Sequence, residues 1–412
     1  MKIGEFAQSC QVSRDTVRYY IKIGLLTPVG NSAQYSFSQQ DLRDMQTIQK
    51  MKDQHFSLEE IRAYLKIQRV STMVEPESIQ DAAEILSRKR LELMEQIKQL
   101  RQIRGDLDQE VQGLLYQEVE GGKPTGVPLS ALRLLCCPRC GNPLQLEYAQ
   151  LDAKYVYSGQ LTCGCGYRAE IDQGIVQTGN LYTGPYDSPD LKRGLYRTES
   201  KNFISHMRQC EDATLKALQS MDLKGKVILE GHINGYFFLY RYFEQLERDC
   251  TYVIVDKYPE MLLLYKHYIE QLNLELDILY LADNSMNWPL LPHCVDMMVD
   301  FLDDGEHSLY SKQFYIQEVG LFLKKKAQIV GASLGYDEGA KSLKQLALKY
   351  PEGGWQAFHW AQVPQLYAQA GYRYLRQEIG ILTQTSDGYA FACHIDGENL
   401  RIGYFHAVPL KT

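Results

Sequence analysis

Four cysteines in the middle of the chain have the spacing of a metal site. Cys137 and Cys140 form a CxxC pair in "LLCCPRCGNPLQL", and Cys163 and Cys165 form a CxC pair after 22 intervening residues. Both pairs lie in glycine-rich turns, and two such pairs can hold a tetrahedral Zn²⁺ through four thiolates. Because the second pair is closer than CxxC, Cys136 is an alternative ligand, and free core cysteines are the alternative to a metal. A site with four sulfurs would be structural, since no coordination position stays open for catalysis.

A second candidate site is the glycine turn in "VILEGHINGYFF". Gly231 and Gly235 lie in this turn beside Glu230, and the next two apolar runs end at Asp256 and Asp283. Glycine lets the backbone pass close to a ligand. Ligands of α/β sheets lie at the carboxyl ends of the strands. The pattern therefore predicts a nucleotide-type pocket, with plain strand-end caps as the alternative role of the two aspartates.

Helical and apolar segments alternate between residues 201 and 378, which predicts a parallel sheet with helices on both faces. The tail alternates around Asp396 and Gly397 and predicts a hairpin. The segment "FLDDGEH" is either a set of acid–base groups or a solvated turn. Its ionisable residues are Asp303, Asp304, Glu306 and His307.

The order of these segments resembles a class I S-adenosylmethionine-dependent methyltransferase. The resemblance implies that Asp256 binds the ribose hydroxyls and that Asp283 accepts a hydrogen bond from the adenine amine. The cysteine segment, "CPxCGNPL" with "GQLTCGCGYRAEIDQGI", resembles the small zinc ribbons that accompany some RNA methyltransferases. S-adenosylmethionine is therefore a candidate cofactor, beside structural zinc.

The glycine loop departs from the methyltransferase pattern, which is Asp or Glu followed by three glycines at alternate positions. Aligning Gly231 and Gly235 places Leu229 at the carboxylate position and Ile233 at the middle glycine. Using Glu230 instead puts the glycines out of step. We expect the branched side chain of Ile233 to stand in the pocket, so the loop is altered and methyl transfer is in doubt. No methyl-acceptor motif is found, and catalytic residues stay unassigned.

The N-terminal segment "IGEFAQSCQVSRDTVRYYIKIGLL" predicts two short helices joined by a tight turn. Ser13 is placed to cap the second helix. The exposed side of that helix would carry Arg14, Asp15, Thr16, Arg18 and Tyr19. Such a helix fits the DNA major groove, where Arg contacts guanine edges and hydroxyls hold phosphate. "SQQDL" and "SLEEI" predict two further helix starts.

Residues 1 to about 70 resemble the winged helix-turn-helix of the MerR family of bacterial regulators, through "IGEFA", "VSRDTVRYYIKIGLL", "FSQQDL" and "HFSLEEIRAYL". The resemblance implies a dimer that distorts promoters with an overlong spacer so that RNA polymerase can engage. The candidate DNA-binding residues are Ser13, Arg14, Thr16, Arg18, Tyr19 and Tyr35. Tyr35 stands at the wing position where the family usually has Arg. A helical protein-interaction module is the alternative.

A heptad pattern follows this segment and predicts a coiled-coil dimerisation helix. Its apolar positions are Ile79, Leu86, Leu93, Leu100, Leu107 and Leu114, with Ala83, Ile97 and Val111 four residues after alternate members. Arg90 and Arg104 interrupt the second row and favour an antiparallel or splayed pairing, which the family resemblance also implies. An amphipathic helix packed on its own body is the alternative.

Composition indicates a multidomain protein of the soluble globular class, with 45% apolar and 23% charged residues among 412. Residues 1–70 hold ten Lys or Arg and seven Asp or Glu, a net charge of +3. Because the whole chain carries −7, the remaining residues carry a net charge of −10. A weakly basic N-terminal segment on an acidic remainder is compatible with nucleic-acid binding by the N-terminal segment only. We find no secretory signal and no membrane-spanning run, and we expect a cytoplasmic, reducing location.

The sequence predicts a multidomain architecture: an α-helical winged helix-turn-helix with a long coiled-coil helix, a small zinc ribbon, and a Rossmann-like α/β domain of the methyltransferase type. The predicted boundaries are 1–75 for the DNA-binding domain, 76–120 for the dimerisation helix, 121–128 for a linker, 129–180 for the ribbon and 195–412 for the α/β domain with its hairpin. The predicted function is DNA-binding transcription regulation at a promoter operator by a homodimer, with the α/β domain as sensor or interaction module. An active methyltransferase with a DNA-binding head is the alternative.

Overall fold

The structure, a computed structural model, describes residues 1–31, 34–70, 75–115, 122–192, 199–384 and 393–410. The chain divides into two compact units, Met1–Gln117 and Glu118–Thr412. We refer to the second unit as the α/β body. The predicted fold class, a helical winged helix-turn-helix region followed by a large Rossmann-like α/β domain, is confirmed.

The first unit is helical apart from one short β-hairpin. Its elements are α1 (Ile3–Ser9), α2 (Arg14–Lys22), β1 (Val29–Asn31), β2 (Gln34–Ser36), α3 (Gln39–Asp53), α4 (Leu58–Val70) and α5 (Pro76–Leu115). Ser38 begins α3 with a reciprocal cap: its hydroxyl accepts from the Asp41 amide, and Asp41 accepts from the Ser38 amide. Ser57 and Glu60 form the same arrangement before α4, so both predicted helix starts are correct.

The core of the first unit lies between α1–α4 and the hairpin. Phe6, Val17, Met45, Ile48 and Ile61 are fully buried there. These residues are the apolar positions of amphipathic helices, so burying one face of each helix closes the unit around them.

The α/β body contains one sheet of twelve strands within the described residues. Its strands are β3 (Val127–Pro128), β4 (Gln145–Leu151), β5 (Tyr155–Thr162), β6 (Arg168–Asp172), β7 (Ile175–Gln177), β8 (Val227–Glu230), β9 (Thr251–Asp256), β10 (Asp277–Ala282), β11 (Val295–Phe301), β12 (Leu323–Tyr336), β13 (Tyr372–Leu382) and β14 (Leu400–Pro409). Its helices are α6 (Lys201–Gln219), α7 (Phe238–Tyr242), α8 (Pro259–Gln271), α9 (Asp303–Tyr310), α10 (Tyr315–Val319), α11 (Lys341–Lys349) and α12 (Val363–Gln369).

The strands run in the order β13-β14-β12-β11-β8-β9-β10-β7-β6-β5-β3, and β4 also pairs with β5. Pairings from β12 through β7 are parallel, while β14 and β13 at one end and β6, β5, β3 and β4 at the other are antiparallel. The sheet is therefore mixed rather than parallel throughout. Strand order reverses beside β8, which is where doubly wound sheets bind ligands.

The cysteine-bearing strands belong to the same sheet, because β7 pairs in parallel with β10. The tail forms a hairpin, but β14 pairs with β13 rather than with the residues just before Asp396 and Gly397. Residues 388–392 lie outside the described residues, Cys393 to Ile395 form no strand, and β14 pairs with β13 and β12 instead. Each face of the sheet is covered by a buried apolar cluster, and the carboxyl edge between them carries the polar residues.

Candidate functional site

Helix α2 is positioned by a local cap and two buried anchors. The Ser13 hydroxyl accepts from the Thr16 amide at 3.0 Å, as expected for an N-cap residue. Val17 and Tyr20 are buried in the core of the first unit. The opposite side of the helix is thereby directed away from the core.

That opposite side carries the predicted DNA contacts. Arg14, Arg18 and Tyr19 are exposed. Arg18 pairs with Asp15 at 3.0 Å, but both side chains are more than 60% exposed, so the pair is weak and the guanidinium can turn to another acceptor. Tyr35 lies in the hairpin, half-buried against the edge of Phe37. Its hydroxyl is the group available there in place of a guanidinium.

Helix α5 presents apolar side chains to solvent along its length. The exposed ones include Ile79, Leu86, Leu91, Met94, Ile97, Leu100, Ile103 and Leu107. The side chains of the predicted heptad positions Val111 and Leu114, and the predicted helix end at 120, lie outside the described residues. At its other end the helix is tied to α4, since Lys89 pairs with Glu60 at 3.2 Å.

The structure brings the four predicted cysteine ligands together. All four sulfur atoms lie within 4.8 Å of one another, with Cys137 and Cys165 3.4 Å apart and Cys140 and Cys163 3.5 Å apart. A tetrahedron with Zn–S bonds of about 2.3 Å has sulfur–sulfur edges of about 3.8 Å, so the cluster has the size of a four-thiolate zinc site. Cys136 is not part of it, because its thiol donates to the Leu290 carbonyl at 3.2 Å.

Tight turns hold these sulfurs. The Gly141 amide donates to the Cys137 carbonyl at 2.8 Å, and the Gly166 amide donates to the Cys163 carbonyl at 2.8 Å. Both glycines have positive φ, +73° and +88°, which other residues rarely adopt. Burial raises the pKa of the Cys137 thiol, but hydrogen bonds from the Arg139 amide and the Cys165 thiol outweigh it and bring this pKa down to about 7, while the same sharing between thiols raises the pKa of Cys140 and of Cys165. A thiolate is the form that binds metal.

A polar cavity of about 130 Å³ lies at the carboxyl edge of the sheet, where the strand order reverses. Gly231, Asp256 and Asp283 line it, as the sequence predicts for a nucleotide-type pocket. Its volume is below the roughly 300 Å³ at which pockets for drug-sized ligands begin. The enclosed part of the cavity is therefore smaller than an adenosyl compound, although Gly231, Asp256 and Asp283 are the residue types that would hold one.

Two expectations about the glycine loop are corrected. Ile233 does not stand in the pocket: it is fully buried in the apolar core, because His232 takes a positive φ of 49° and turns the following side chain inward. Leu229 is buried in the apolar core, and the acidic side chain that organises the loop is Glu230. Glu230 is fully buried and accepts from the amides of Phe238 at 2.7 Å and Leu239 at 2.8 Å, which caps α7.

The polar groups of the predicted pocket are bonded to one another. Asp256 accepts from the Asn234 amide and from the Tyr258 amide, each at 2.8 Å. Burial raises the pKa of Asp256 to about 7, against the lowering effect of the Lys257 charge. The Gly231 amide donates to Asp303 at 3.0 Å. Gly235 lies in the same loop, but near Glu306 rather than in the cavity lining.

Asp283 also has partners within the protein. It accepts from the Ser285 amide at 2.6 Å and from the hydroxyl of Thr178. The strand-end cap that the sequence leaves as the alternative role is thus the role that Asp256 and Asp283 perform in this conformation.

The segment "FLDDGEH" forms the start of α9 and is buried, so its interpretation as a solvated turn is wrong. His307 Nδ1 lies 3.2 Å from His232 Nε2, and His307 Nε2 lies 2.7 Å from Glu318. Burial, with the charges of His307 and Lys257, lowers the pKa of His232 well below its ordinary value.

Sequence reasoning named His307 but missed its partner His232, and it also missed Lys257, which is buried between Asp187 and Glu306. A lysine directly after the second-strand carboxylate was visible in the sequence. Its partners are 70 and 49 residues away, and no local pattern identifies them.

The N-terminal part of the chain matches known regulators. The family model for the MerR HTH family regulatory protein matches residues 1–67. An uncharacterized HTH-type transcriptional regulator of Pseudomonas aeruginosa is 34% identical over 119 residues, which is 27% of this chain and 86% of the relative. Heavy metal-dependent transcription regulator 2 of Rhizobium meliloti is 29% identical over 111 residues, 26% of this chain and 75% of the relative.

Among solved structures, phosphoethanolamine N-methyltransferase 2 of Haemonchus contortus in complex with S-adenosyl-L-methionine is similar at a TM-score of 0.37 and 12% identity, over 63% of this chain and 64% of that one. None of the helices within the described ranges is long and apolar enough to cross a membrane.

The family follows from the first unit and from the relative that is matched over most of its length. The first unit has the capped and exposed α2, the hairpin beside it and the long α5, and the chain belongs to the MerR HTH family of regulatory proteins.

Proposed function

We propose that the protein is a sequence-specific DNA-binding transcription regulator that acts as a homodimer, with its α/β body serving as a sensor or interaction module rather than as a methyltransferase. One observation carries the DNA-binding part. The capped helix α2 holds Arg14, Arg18 and Tyr19 exposed on the side opposite its buried anchors. Arginines on one face of a major-groove helix are the usual readers of base edges.

Helix α5 supports the homodimer. Its apolar side chains recur at heptad spacing and remain exposed, with Leu100 at 65% and Leu107 at 54%. Packing this apolar stripe against the same stripe of a second copy would remove its area from water, which is favourable. A dimer places two α2 helices on one DNA molecule, and its two-fold axis sets the spacing of the half-sites.

The four-cysteine cluster supports a structural Zn²⁺. Cys137, Cys140, Cys163 and Cys165 are the residues that would hold it, and bound zinc would link the turn before β4 to the turn between β5 and β6. Four sulfurs complete a tetrahedral shell, so this metal would contribute stability and not catalysis.

Hydrogen bonds within the glycine loop support a sensor over an enzyme. The carboxylates of Asp256 and Asp303 are bonded to amides of the loop itself, at 2.8 and 3.0 Å. A cofactor bound there would have to share these oxygens with the loop amides or displace them. A sensor needs only a ligand that binds one conformation better than another, and the resulting shift is limited by that difference in affinity.

An active methyltransferase is the second candidate, and one observation favours it. Asp256 and Asp283 end adjacent parallel strands and both line the cavity beside Gly231. This is the arrangement that the resemblance to class I enzymes implies for binding ribose and adenine.

Two measurements on the full-length protein test these functions. A salt-titrated mobility-shift assay against DNA selected from a random pool is expected to show discrimination above competitor DNA. Equal affinity for all sequences would contradict specific regulation. Calorimetric titration with S-adenosylmethionine, followed by transfer of a radiolabelled methyl group to protein, DNA and RNA acceptors, separates the two candidates: turnover supports the enzyme, and its absence supports the sensor.

A further inference from the structure

The segment from Thr178 to Asp190, called the strap below, crosses the carboxyl ends of β10, β9 and β8 in turn. It begins directly after β7. At the end of β10, the Thr178 hydroxyl and the Asn180 side-chain amide both donate to Asp283, the second of these at 3.3 Å. The Asn284 amide donates to the Asn180 carbonyl at 2.6 Å. The strap therefore covers the position where the sequence predicts an adenine contact.

A buried ion pair holds the strap at the end of β9. Lys257 follows Asp256 and lies 2.6 Å from the Asp187 carboxylate, with both side chains at least 93% buried. The ammonium also lies 3.4 Å from the centre of the Tyr310 ring. A buried pair of this kind is weakened strongly when one partner is removed, since the other is left as an uncompensated charge.

The glycine loop after β8 is bonded to the same segment. The Asn234 side-chain oxygen accepts from the Asp190 amide at 2.9 Å. Its amide nitrogen donates to Asp187 and to the Ser188 carbonyl, each at 3.4 Å. A glycine loop that holds a ligand presents its polar groups to that ligand, whereas here Asn234 presents them to the strap.

The three elements expected to contact a nucleoside are thus each bonded to one stretch of the chain. The cavity that remains beside it measures about 130 Å³. We propose that the strap is an internal competitor for an adenosyl-type nucleoside at the strand edge, and that such a ligand binds only when the strap has moved away. This inference rests on the proposed sensing role of the α/β body and names the regulation of that site.

If only molecules with an open strap bind the nucleoside, the apparent affinity is the intrinsic affinity multiplied by the fraction of molecules that are open. Any change that destabilises the strap without touching Asp256 or Asp283 therefore raises affinity. Asp187→Asn is such a change, because it removes the charge that Lys257 pairs with while Glu306 remains 3.3 Å from the ammonium. Tyr182→Phe is a milder one, since it removes the hydrogen bond from the Tyr182 hydroxyl to Glu352 at 2.7 Å.

The test uses full-length wild type, Asp187→Asn and Tyr182→Phe, with Asp152→Asn as the control. Asp152 is an exposed carboxylate between β4 and β5 that accepts from Tyr157, outside the strap. Hydrogen–deuterium exchange of the Asp190 amide reports on the strap, and calorimetric titration with S-adenosylhomocysteine reports on the site. We expect Asp187→Asn to raise exchange and to tighten binding by about tenfold or more. Tyr182→Phe should shift both in the same direction by less, and the control should match wild type.

Three other outcomes would each contradict a different part of the proposal. Equal affinity of wild type and both strap variants would overturn the strap as a competitor while leaving ligand sensing intact. Faster exchange with no binding to any variant would overturn the nucleoside as the ligand, and with it a nucleoside-sensing role. Unchanged exchange in both strap variants would show that these contacts do not hold the segment, which also overturns the inference.

Discussion

Glu230→Ala is expected to destabilise the α/β body by about 2–6 kcal/mol. The wild-type carboxyl group is fully buried, and its two oxygens each accept one amide, from Phe238 and from Leu239. Alanine leaves both N–H groups buried without an acceptor, and each costs about 1–3 kcal/mol. Glu230→Gln is the matched variant: it keeps the shape and one acceptor oxygen, so we expect about half of the loss.

Tryptophan fluorescence during urea denaturation measures this effect in the right part of the chain. All three tryptophans, Trp288, Trp355 and Trp360, lie in the α/β body, so the signal reports on this unit alone. A loss below about 1 kcal/mol in Glu230→Ala would refute the capping role, because two orphaned amides cannot cost so little in a buried site.

A comparison of wild type with Glu230→Gln also tests the protonation state of Glu230. Burial raises its pKa to about 8. Since the folded state holds the proton more tightly than the unfolded state, the stability it contributes is fully present below about pH 4 and is lost as pH rises through about 8. The free energy of unfolding of wild type should therefore fall relative to Glu230→Gln between pH 5 and pH 8, with a slope of at most about 1.4 kcal/mol per pH unit. A difference that stays constant with pH would contradict a protonated buried carboxyl.

Three further predictions concern the other sites. Arg14→Ala should weaken operator binding by about 1–3 kcal/mol in a mobility-shift assay, whereas Arg88→Ala, on an exposed turn of α5, should not; equal losses would argue against base reading by α2. Cys163→Ser should abolish stoichiometric zinc by elemental analysis while Cys136→Ser retains it, and zinc kept by both would exclude the four-cysteine site. Leu100→Lys should convert the dimer to a monomer in light scattering, and an unchanged mass would place the dimer contact elsewhere.

Features that depend on a few neighbouring residues were predictable. The cap of α2 at Ser13 and the helix starts at Ser38 and Ser57 follow from local patterns and agree with the structure. The cysteine pairs were also recognisable, because a knuckle places its two sulfurs through a single turn. The alternation of strands and helices predicted the α/β body, since burial on both faces of a sheet imposes that order.

The glycine loop shows where such reasoning ends. Alignment by glycines assigned Ile233 to the pocket, but the left-handed conformation of His232 turns it into the core. One backbone dihedral decides which way the next side chain points, and residue types alone do not determine it. The loop's carboxylate, Glu230, was recognised as acidic, but its partners lie eight and nine residues further on in α7.

The sequence by itself determined the helical winged helix-turn-helix unit, the apolar stripe of α5, the four-cysteine cluster and the α/β class, because each arises from spacing along a helix, a turn or a strand. Only the tertiary structure decided that β7 joins the cysteine-bearing strands to β10, that "DDGEH" is buried, and that Asp187 meets Lys257 across the strand edge. These contacts join residues 70 or more positions apart, or depend on which surface a neighbouring element covers. Their energy comes from burial and pairing that exist only after the chain has folded.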